Sequence, residues 1–466
     1  MCSKNSRGYN EEEVPETKRM LKLQAPLVWT TWLLVGEKNA ARGLKRKMLN
    51  GSHSPDFYYA DIELHDPKLE ENREVSLPFL LPNEIAGKLF EFGDPTWILS
   101  RQVLQEDAEL IEKFSSSCQP ARDPATVLPL GLWNDGVPCN WDRSQSLEVI
   151  ALSFPSIPGL RVPLFCLKKM FEAKKCSMDA ALKVLVWSFE QLAVGRYRSR
   201  RHDGSPFDAR VDKARIRLAG LELPSACLTQ IRGDWKMFKV IRLDWLHIMD
   251  LGCAADAAGN VLWLLQSKLP GPNIAKRVGE VFTEILEEYK NQGVTSDRLA
   301  TLTETMFRKD AASAPKVKAK GAETRKLVPI LGVLCRKLLD STRELDSAVV
   351  ACMSLLLQCC AALDVEPYDP NLMEREVRRF ALQYVSLRDY YSDNITWRVK
   401  PKLHLLLHLS QSSTCPKDTW CYRDEDFGGA TATMVRAKGG HNTPGNSSQV
   451  VLDKFKARND PPVLAA

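Results

Sequence analysis

The sequence predicts an α/β fold: a mixed five-stranded sheet with flanking helices, interrupted by a large all-α insertion. Three observations lead there. Residues 125–233 hold four short apolar runs divided by Pro and Gly, residues 255–400 hold amphipathic stripes, and a strand-like piece, TWCY, returns at 419–422. Short apolar runs bounded by turn residues suit strands, and i, i+3, i+4 stripes suit helices.

The chain is organised around VLPLGLWNDGVP at 127–138. Val127, Leu128, Leu130, Leu132 and Trp133 suit a buried strand of about five residues, which Gly136 and Pro138 end. Asp135 then stands at the lip of the sheet, where a strand holds a carboxylate rigidly. An Asp-Gly hairpin turn is the plainer reading of the same residues. SLEVIALSF at 146–154 and LRVPLFCL at 160–167 follow over short connections, as in an antiparallel meander. A helix is predicted at 177–194, with Ser177 as N-cap, Gly195 just past its end, and Ala181, Leu185, Phe189 and Leu192 on one face. The fourth strand, ACLTQIRG at 226–233, runs into Asp234. Strand, strand, strand, helix, strand, with a carboxylate closing the first and fourth, is the order of an RNase H-like core.

The flanks read more simply. Residues 1–20 are charged and predicted disordered, 21–124 form an N-terminal accessory region, and a helix opens near Asn83 and Glu84. The core then spans 125–254, the helical insertion 255–410, the last strand and its helix 411–456, and 457–466 is a frayed tail. Within the insertion, 273–289 places Val278, Phe282, Ile285 and Tyr289 on one stripe. Ser296 is predicted to cap a helix to Phe307, and 309–324 reads as a flexible basic loop. Further helices are expected at 327–339, 345–363 and 372–391, and after TWCY at 424–438. No period of 20–50 residues repeats, which excludes a solenoid.

Composition narrows the class. The 466 residues are 44% hydrophobic, enough for a large core in two or three domains, or one domain with an insertion. Lys plus Arg is 64 against 58 Asp plus Glu, a net +6 that permits a nucleic-acid partner without demanding one. Thirteen cysteines contain no CxxC pair and read as reduced intracellular thiols. The polar start lacks a signal peptide. Of the longest apolar stretches, 25–35 is too short to span a bilayer, and 348–363 carries Gln358 between Asp346 and Asp364, so no membrane partner is expected. The run GLKRKM at 43–48 reads as a solvated helix face ahead of a nuclear signal.

Three acidic points remain: Asp135 after the first strand, Asp234 after the fourth, and Glu425 on the helix after the fifth. In such a core these converge. Three carboxylates suit two hard divalent ions, which prefer oxygen ligands and, about 4 Å apart, clamp the attacking and leaving oxygens of a phosphoryl displacement.

At NDGVPCN (134–140), RGDWKMF (232–238), LDWLHIMDLG (243–252), KPKLHLLLHL (400–409) and WCYRDEDFGG (420–429) the chain resembles the DDE transposases of eukaryotic cut-and-paste elements, the hAT, CACTA and Plavaka-like group. The resemblance covers roughly 125–440. It implies an RNase H-like core with a helical insertion, DNA cleavage and strand transfer, and two Mg2+ or Mn2+ ions held by Asp135, Asp234 and Glu425. The LDWLHIMDLG stretch is similar to the group's Asp/Cys-x-x-His signature, which makes Asp244 and His247 accessory. It further implies DNA as partner, a homo-oligomer, and a nuclear more than a cytoplasmic location. Asp244 or Asp250 competes with Asp234 for the second position, and Asp424 and Asp426 with Glu425 for the third. The chain departs from the family in lacking a zinc-binding module before residue 125 and a Cys pair near 234–247. That departure implies a truncated or domesticated copy, and an inactive DNA- or protein-binding derivative is the rival reading.

Other features have plain readings beside functional ones. His247 also fits an apolar helix face as a core histidine. His404 and His408, at i, i+4, can chelate zinc but lack an evident third ligand, which favours packing. Arg196, Arg198, Arg200 and Arg201, and the basic run at 316–326, are candidates for phosphate contacts, and Trp235, Trp245 and Trp263 for base stacking. Charge runs more often face solvent and tryptophans more often fill cores.

Overall fold

A computed structural model describes residues 55–92, 98–99, 104–118, 120–140, 142, 144–155, 157, 160–174, 176–233, 243–391, 395–437 and 444–459. Asp234, Trp235, the predicted tail at 1–20 and the basic run at 43–48 lie outside the described residues, as do 460–466.

The fold is mixed α/β. It opens with a hairpin, β1 (Tyr58–Asp66) and β2 (Glu71–Phe79), paired antiparallel from Tyr58↔Phe79 to Asp66↔Glu71. Tyr58, Ala60, Ile62 and Leu64 alternate into the core, the period expected of a strand with one buried face. This hairpin was not expected within the accessory region. Helices α1 (Pro82–Phe92) and α2 (Gln105–Ser117) follow, α1 close to the predicted position.

The main sheet comprises β3 (Leu128–Pro138), β4 (Ser146–Ser153), β5 (Arg161–Lys168) and, after α3 (Cys176–Val194) and the short α4 (Lys213–Leu218), β6 (Ala226–Gly233). Among the described residues its order is β5-β4-β3-β6, with β3 antiparallel to β4 and parallel to β6. The Asp-Gly pair does not turn the chain. Strand β3 runs on to Pro138, still paired with Ser146, so the hairpin bends at 139–145 and Asp135 lies inside the strand. Among the described residues the parallel pairing runs as far as Asn134↔Gly233, one residue before Asp135.

The expected fifth strand at 419–422 is not a strand. Residues Pro416–Thr419 form a short helix and the next helix starts at Tyr422. A four-residue apolar run cannot by itself be told from a helix entry, and here the Cys421 backbone N–H is taken by a side chain, Asp244 Oδ1, at 2.8 Å.

The helical unit begins earlier than the expected 255. A π-helix (Leu246–Cys253) leads into α5 (Ala254–Lys268), and Trp245, Ile248, Met249 and Cys253 already belong to the helical core. Around α5 pack α6 (Ile274–Asn291), α7 (Glu304–Phe307), α8 (Gly321–Leu338), α9 (Glu344–Leu363), α10 (Pro370–Tyr390) and α11 (Pro401–Ser410). The helix predicted from Ser296 shrinks to the single turn of α7. The supposed flexible loop is held down: Val317 is buried, its N–H bonds Ala255 O at 2.9 Å, and Lys316 N bonds Phe307 O at 2.7 Å. Leu246–Lys268 and α9 are each long and apolar enough to cross a membrane, and the former is mostly buried in the helical core.

The chain returns to the sheet with α12 (Pro416–Thr419), α13 (Tyr422–Arg436) and α14 (Asn446–Asn459). This last helix runs to Asn459, three residues into the expected frayed tail, and buries its own Val451 and Leu452. The sheet is thus covered on both faces. Leu128, Leu130, Leu132, Ile150, Leu152 and Leu164 face α3 and the hairpin. Trp133, Val137, Val149 and Ala151 pack against Ala432 and Val435 of α13. Alternation puts Asp135 on this second face, between Trp133 and Val137.

Candidate metal centre

Three distant segments meet beside Asp135. Helix α13 contributes Glu425 in its first turn, where the amide dipoles favour negative charge. The first turn of the π-helix contributes His247. One ligand atom each from Asp135, His247 and Glu425 lies within 4.8 Å of the others. Helix α13 comes close to β3 at Gly428, where a Cβ would stand 2.7 Å from Val137 Cγ1 and 2.8 Å from Trp133 Cη2. Only glycine lets the helix lie this close, and Glu425 is one turn away.

His247 is fixed from its other side. Its Nδ1 lies 2.8 Å from Asp244 Oδ2 and 3.3 Å from Cys421 Sγ, while its Nε2 is 3.5 Å from Glu425 Oε1. The Asp244 carboxylate also accepts the His247 backbone N–H at 2.9 Å, capping the first turn, and the Cys421 backbone N–H and thiol. Lys402 Nζ donates to His247 O at 2.7 Å. The whole turn is therefore tied to the start of α13.

The electrostatics follow from these contacts. Burial raises Glu425, and the neighbouring Asp135 charge and hydrogen bond add to it, pushing it up to about 7. The hydrogen bond to Asp244 raises His247 above its ordinary value. Burial alone would raise Asp244, but the bonds from His247 and Cys421 outweigh it and hold its carboxyl low. Burial and the Asp244 charge keep Cys421 a thiol.

The residues fit a divalent cation. Glu425 Oε1 is buried without a hydrogen-bond partner, two carboxylates repel across the gap, and a bound positive charge would relieve both. Asp244, His247 and Cys421 form a second group of possible ligands, sharing the imidazole.

The competing positions resolve in part. Asp424 is buried in an ion pair with Arg161 of β5, and Asp426 is exposed, which leaves Glu425 facing Asp135. Asp250 is buried and accepts from Tyr422 Oη at 2.7 Å, away from the Asp135 group. Burial pushes Asp250 from 3.8 up to about 6 against the pull of that hydrogen bond. The folded state thus holds the proton longer than the unfolded chain, so stability falls as pH rises from about 4 to 6, by roughly 1–3 kcal/mol. Asp250→Asn is expected to flatten that part of the melting temperature–pH curve. An unchanged slope would refute the assignment.

The arginine run does not reach the site. Leu223 N bonds Gly195 O, and Ser225 O takes Leu128 N, so 196–201 lies where β3 and β6 begin. Asp135 is about 23 Å away along the strand. Arg201 pairs with Asp212 at 2.6 Å and stacks on Tyr58, an internal role. Arg196, Arg198 and Arg200 are exposed, with Arg198 3.0 Å from Glu190. Trp245 is buried, and Trp263 stacks under Arg308 at 4.0 Å. His404 and His408 are exposed, their Nε2 atoms 3.0 Å apart, so packing is not their role.

Sequence reasoning missed Cys421, Lys402, Arg161 and Gly428. All four lie inside the stretches named above, but only a partner distant in the sequence gives each its role. Compared with known proteins, the chain matches no family model and no curated protein.

Proposed function

We propose that the protein is a transposase-like enzyme that cleaves DNA and transfers strands, using carboxylate-held divalent ions on an RNase H-like core split by the helical block. One observation carries this reading. Among the described residues, in the order β5-β4-β3-β6, the sole parallel pair is β3 with β6, and Asp135 and Glu425 meet beside its last described pairing, Asn134↔Gly233. Asp234 directly follows Gly233, the residue opposite Asn134, and is the proposed third carboxylate.

Two ions, Mg2+ or Mn2+, are the proposed cofactor, whose chemistry is to activate water or a 3′-hydroxyl and offset charge at the phosphate. Asp135, fixed in a strand bonded on both sides, sets the position of the centre. Glu425 brings the second carboxylate from a helix seated on that strand. Asp244, turned toward His247 and Cys421, orients the imidazole. DNA is the proposed substrate, a homo-oligomer the working form and the nucleus its location. Arg196, Arg198 and Arg200 are proposed to take phosphates remote from the site.

The test is nicking of supercoiled plasmid. Asp135→Asn is expected to cut divalent-dependent nicking by about 10²–10³-fold. Undiminished nicking by the variant would sink the assignment. Salt-sensitive DNA binding that survives chelation, with no nicking by the wild type, would favour the inactive, binding derivative.

A further inference from the structure

We propose that His247 Nε2 is itself a ligand in the Asp135–Glu425 centre, so that this centre selects a nitrogen-accepting transition ion such as Mn2+ over Mg2+. The inference deepens the metal-dependent reading above and rests on it.

A metal-bound histidine characteristically gives its other ring nitrogen to a carboxylate, which fixes the ring and raises its basicity. Here Nδ1 is taken by Asp244 at 2.8 Å and Nε2 faces Glu425 Oε1 at 3.5 Å. At 3.5 Å the Nε2–Oε1 pair is longer than a good hydrogen bond, and Glu425 Oε1 has no other partner. Both atoms therefore have coordination to offer, and Asp135 joins them within 4.8 Å. The anchor is itself over-determined: Asp244 also accepts the Cys421 amide and thiol and the His247 amide. The site stays open, with the His247 side chain 42% and that of Glu425 33% exposed, so an ion has room for water or a phosphate oxygen.

Donor chemistry then sets the preference. Mg2+ and Ca2+ take carboxylate, carbonyl and water oxygens, whereas first-row transition ions accept imidazole. Two carboxylates with one imidazole keep the hard character that Mn2+ tolerates and add a nitrogen that Mg2+ gains little from.

The test is metal binding by the full-length chain. The exposed His404–His408 pair can bind transition ions too, so the background is His404→Ala with His408→Ala. Mn2+ is titrated by electron paramagnetic resonance and Mg2+ by calorimetry. Mn2+ is expected to bind at least about tenfold more tightly, and pulsed spectra of the Mn2+ protein should show nitrogen coupling that changes on 15N-histidine labelling. His247→Gln should remove that coupling and bring the two affinities together. Asp244→Asn should weaken Mn2+ by roughly 10–100-fold. Glu425→Gln should abolish the coupling as well. If His247→Gln does not fold, the labelled protein with His247 intact still decides the matter.

Mn2+ bound without nitrogen coupling would overturn the inference. So would coupling that survives Glu425→Gln and Asp135→Asn but disappears in Cys421→Ser, which would put the ion on the Nδ1 side. Nitrogen coupling in a protein that fails to nick DNA whichever divalent ion is supplied leaves this inference standing and removes the DNA-cleaving function. Nicking in Mg2+ without nitrogen coupling does the reverse.

Discussion

Glu425→Gln is expected to stabilise the metal-free protein above pH 7 while abolishing its response to divalent ions. The two effects share one cause. In the fold Glu425 holds its proton up to about 7 because burial and Asp135 both oppose its charge. The unfolded chain releases that proton at the ordinary carboxyl range. Between those values the folded state binds more protons, so this group's contribution to stability falls as pH rises and is fully lost above 7. Gln cannot ionise and escapes the loss. With the side chain a third exposed, solvent screening keeps the gain to about 1 kcal/mol or less. An ion reverses the balance in the wild type, because it must displace protons from Glu425 and His247 and gains affinity as both are released. Ion-induced stabilisation, which follows RT ln(1 + [L]/Kd), should therefore grow from pH 6 to 8 in the wild type and vanish in the variant. Thermal unfolding with chelator and with Mn2+ reads both effects. A variant that melts lower at pH 8 in chelator, yet still responds to Mn2+, would contradict the assignment.

Gly428→Ala is expected to destabilise the fold by about 1–3 kcal/mol. Its neighbour gives the opposite result. A Cβ at Gly428 would meet Val137 and the Trp133 ring at under 3 Å, whereas at Gly429 it would meet nothing within 4 Å. Trp133 is buried and cannot swing aside. Helix α13 must therefore lift from β3, which takes Glu425 away from Asp135. Gly429→Ala only gains helix propensity and should stabilise by about 0.5–1 kcal/mol. Denaturant midpoints of the pair, with Mn2+ affinities, test the point. Equal effects of the two substitutions would show that close approach at Gly428 does not position the site.

Much of this arrangement was legible in the residues. Strands β4, β5 and β6 and helix α3 fall where Pro and Gly punctuate the apolar runs, because those residues act locally, whereas Ser177, expected as a cap, lies inside α3 and bonds Glu63 O. Asp135 and Glu425 were legible through their order and the resemblance. The β1–β2 hairpin was overlooked although Tyr58, Ala60, Ile62 and Leu64 alternate plainly. TWCY misled because the partner of the Cys421 amide is Asp244, 177 residues away in the chain. Arg201 looked like a phosphate ligand because its partner Asp212 lies beyond the charge run. Lys316 and Val317 looked mobile because what anchors them is backbone on α5 and α7. In each case the deciding contact is distant in sequence, and no local period announces it.

The inserted helices also order events in time. Asp135 belongs to a sheet whose described strands are finished by Gly233, but Glu425 follows only after the block from Leu246 to Ser410. On a ribosome adding about 5–20 residues per second, that block takes roughly 10–30 s to synthesise. A nascent chain therefore carries Asp135 without Glu425 throughout that interval. The group of possible ligands is completed in one step, when α13 emerges and seats Gly428 against Trp133. Incomplete chains that end within the helical block lack Glu425, so the Asp135–His247–Glu425 group is restricted to chains that have been read through it.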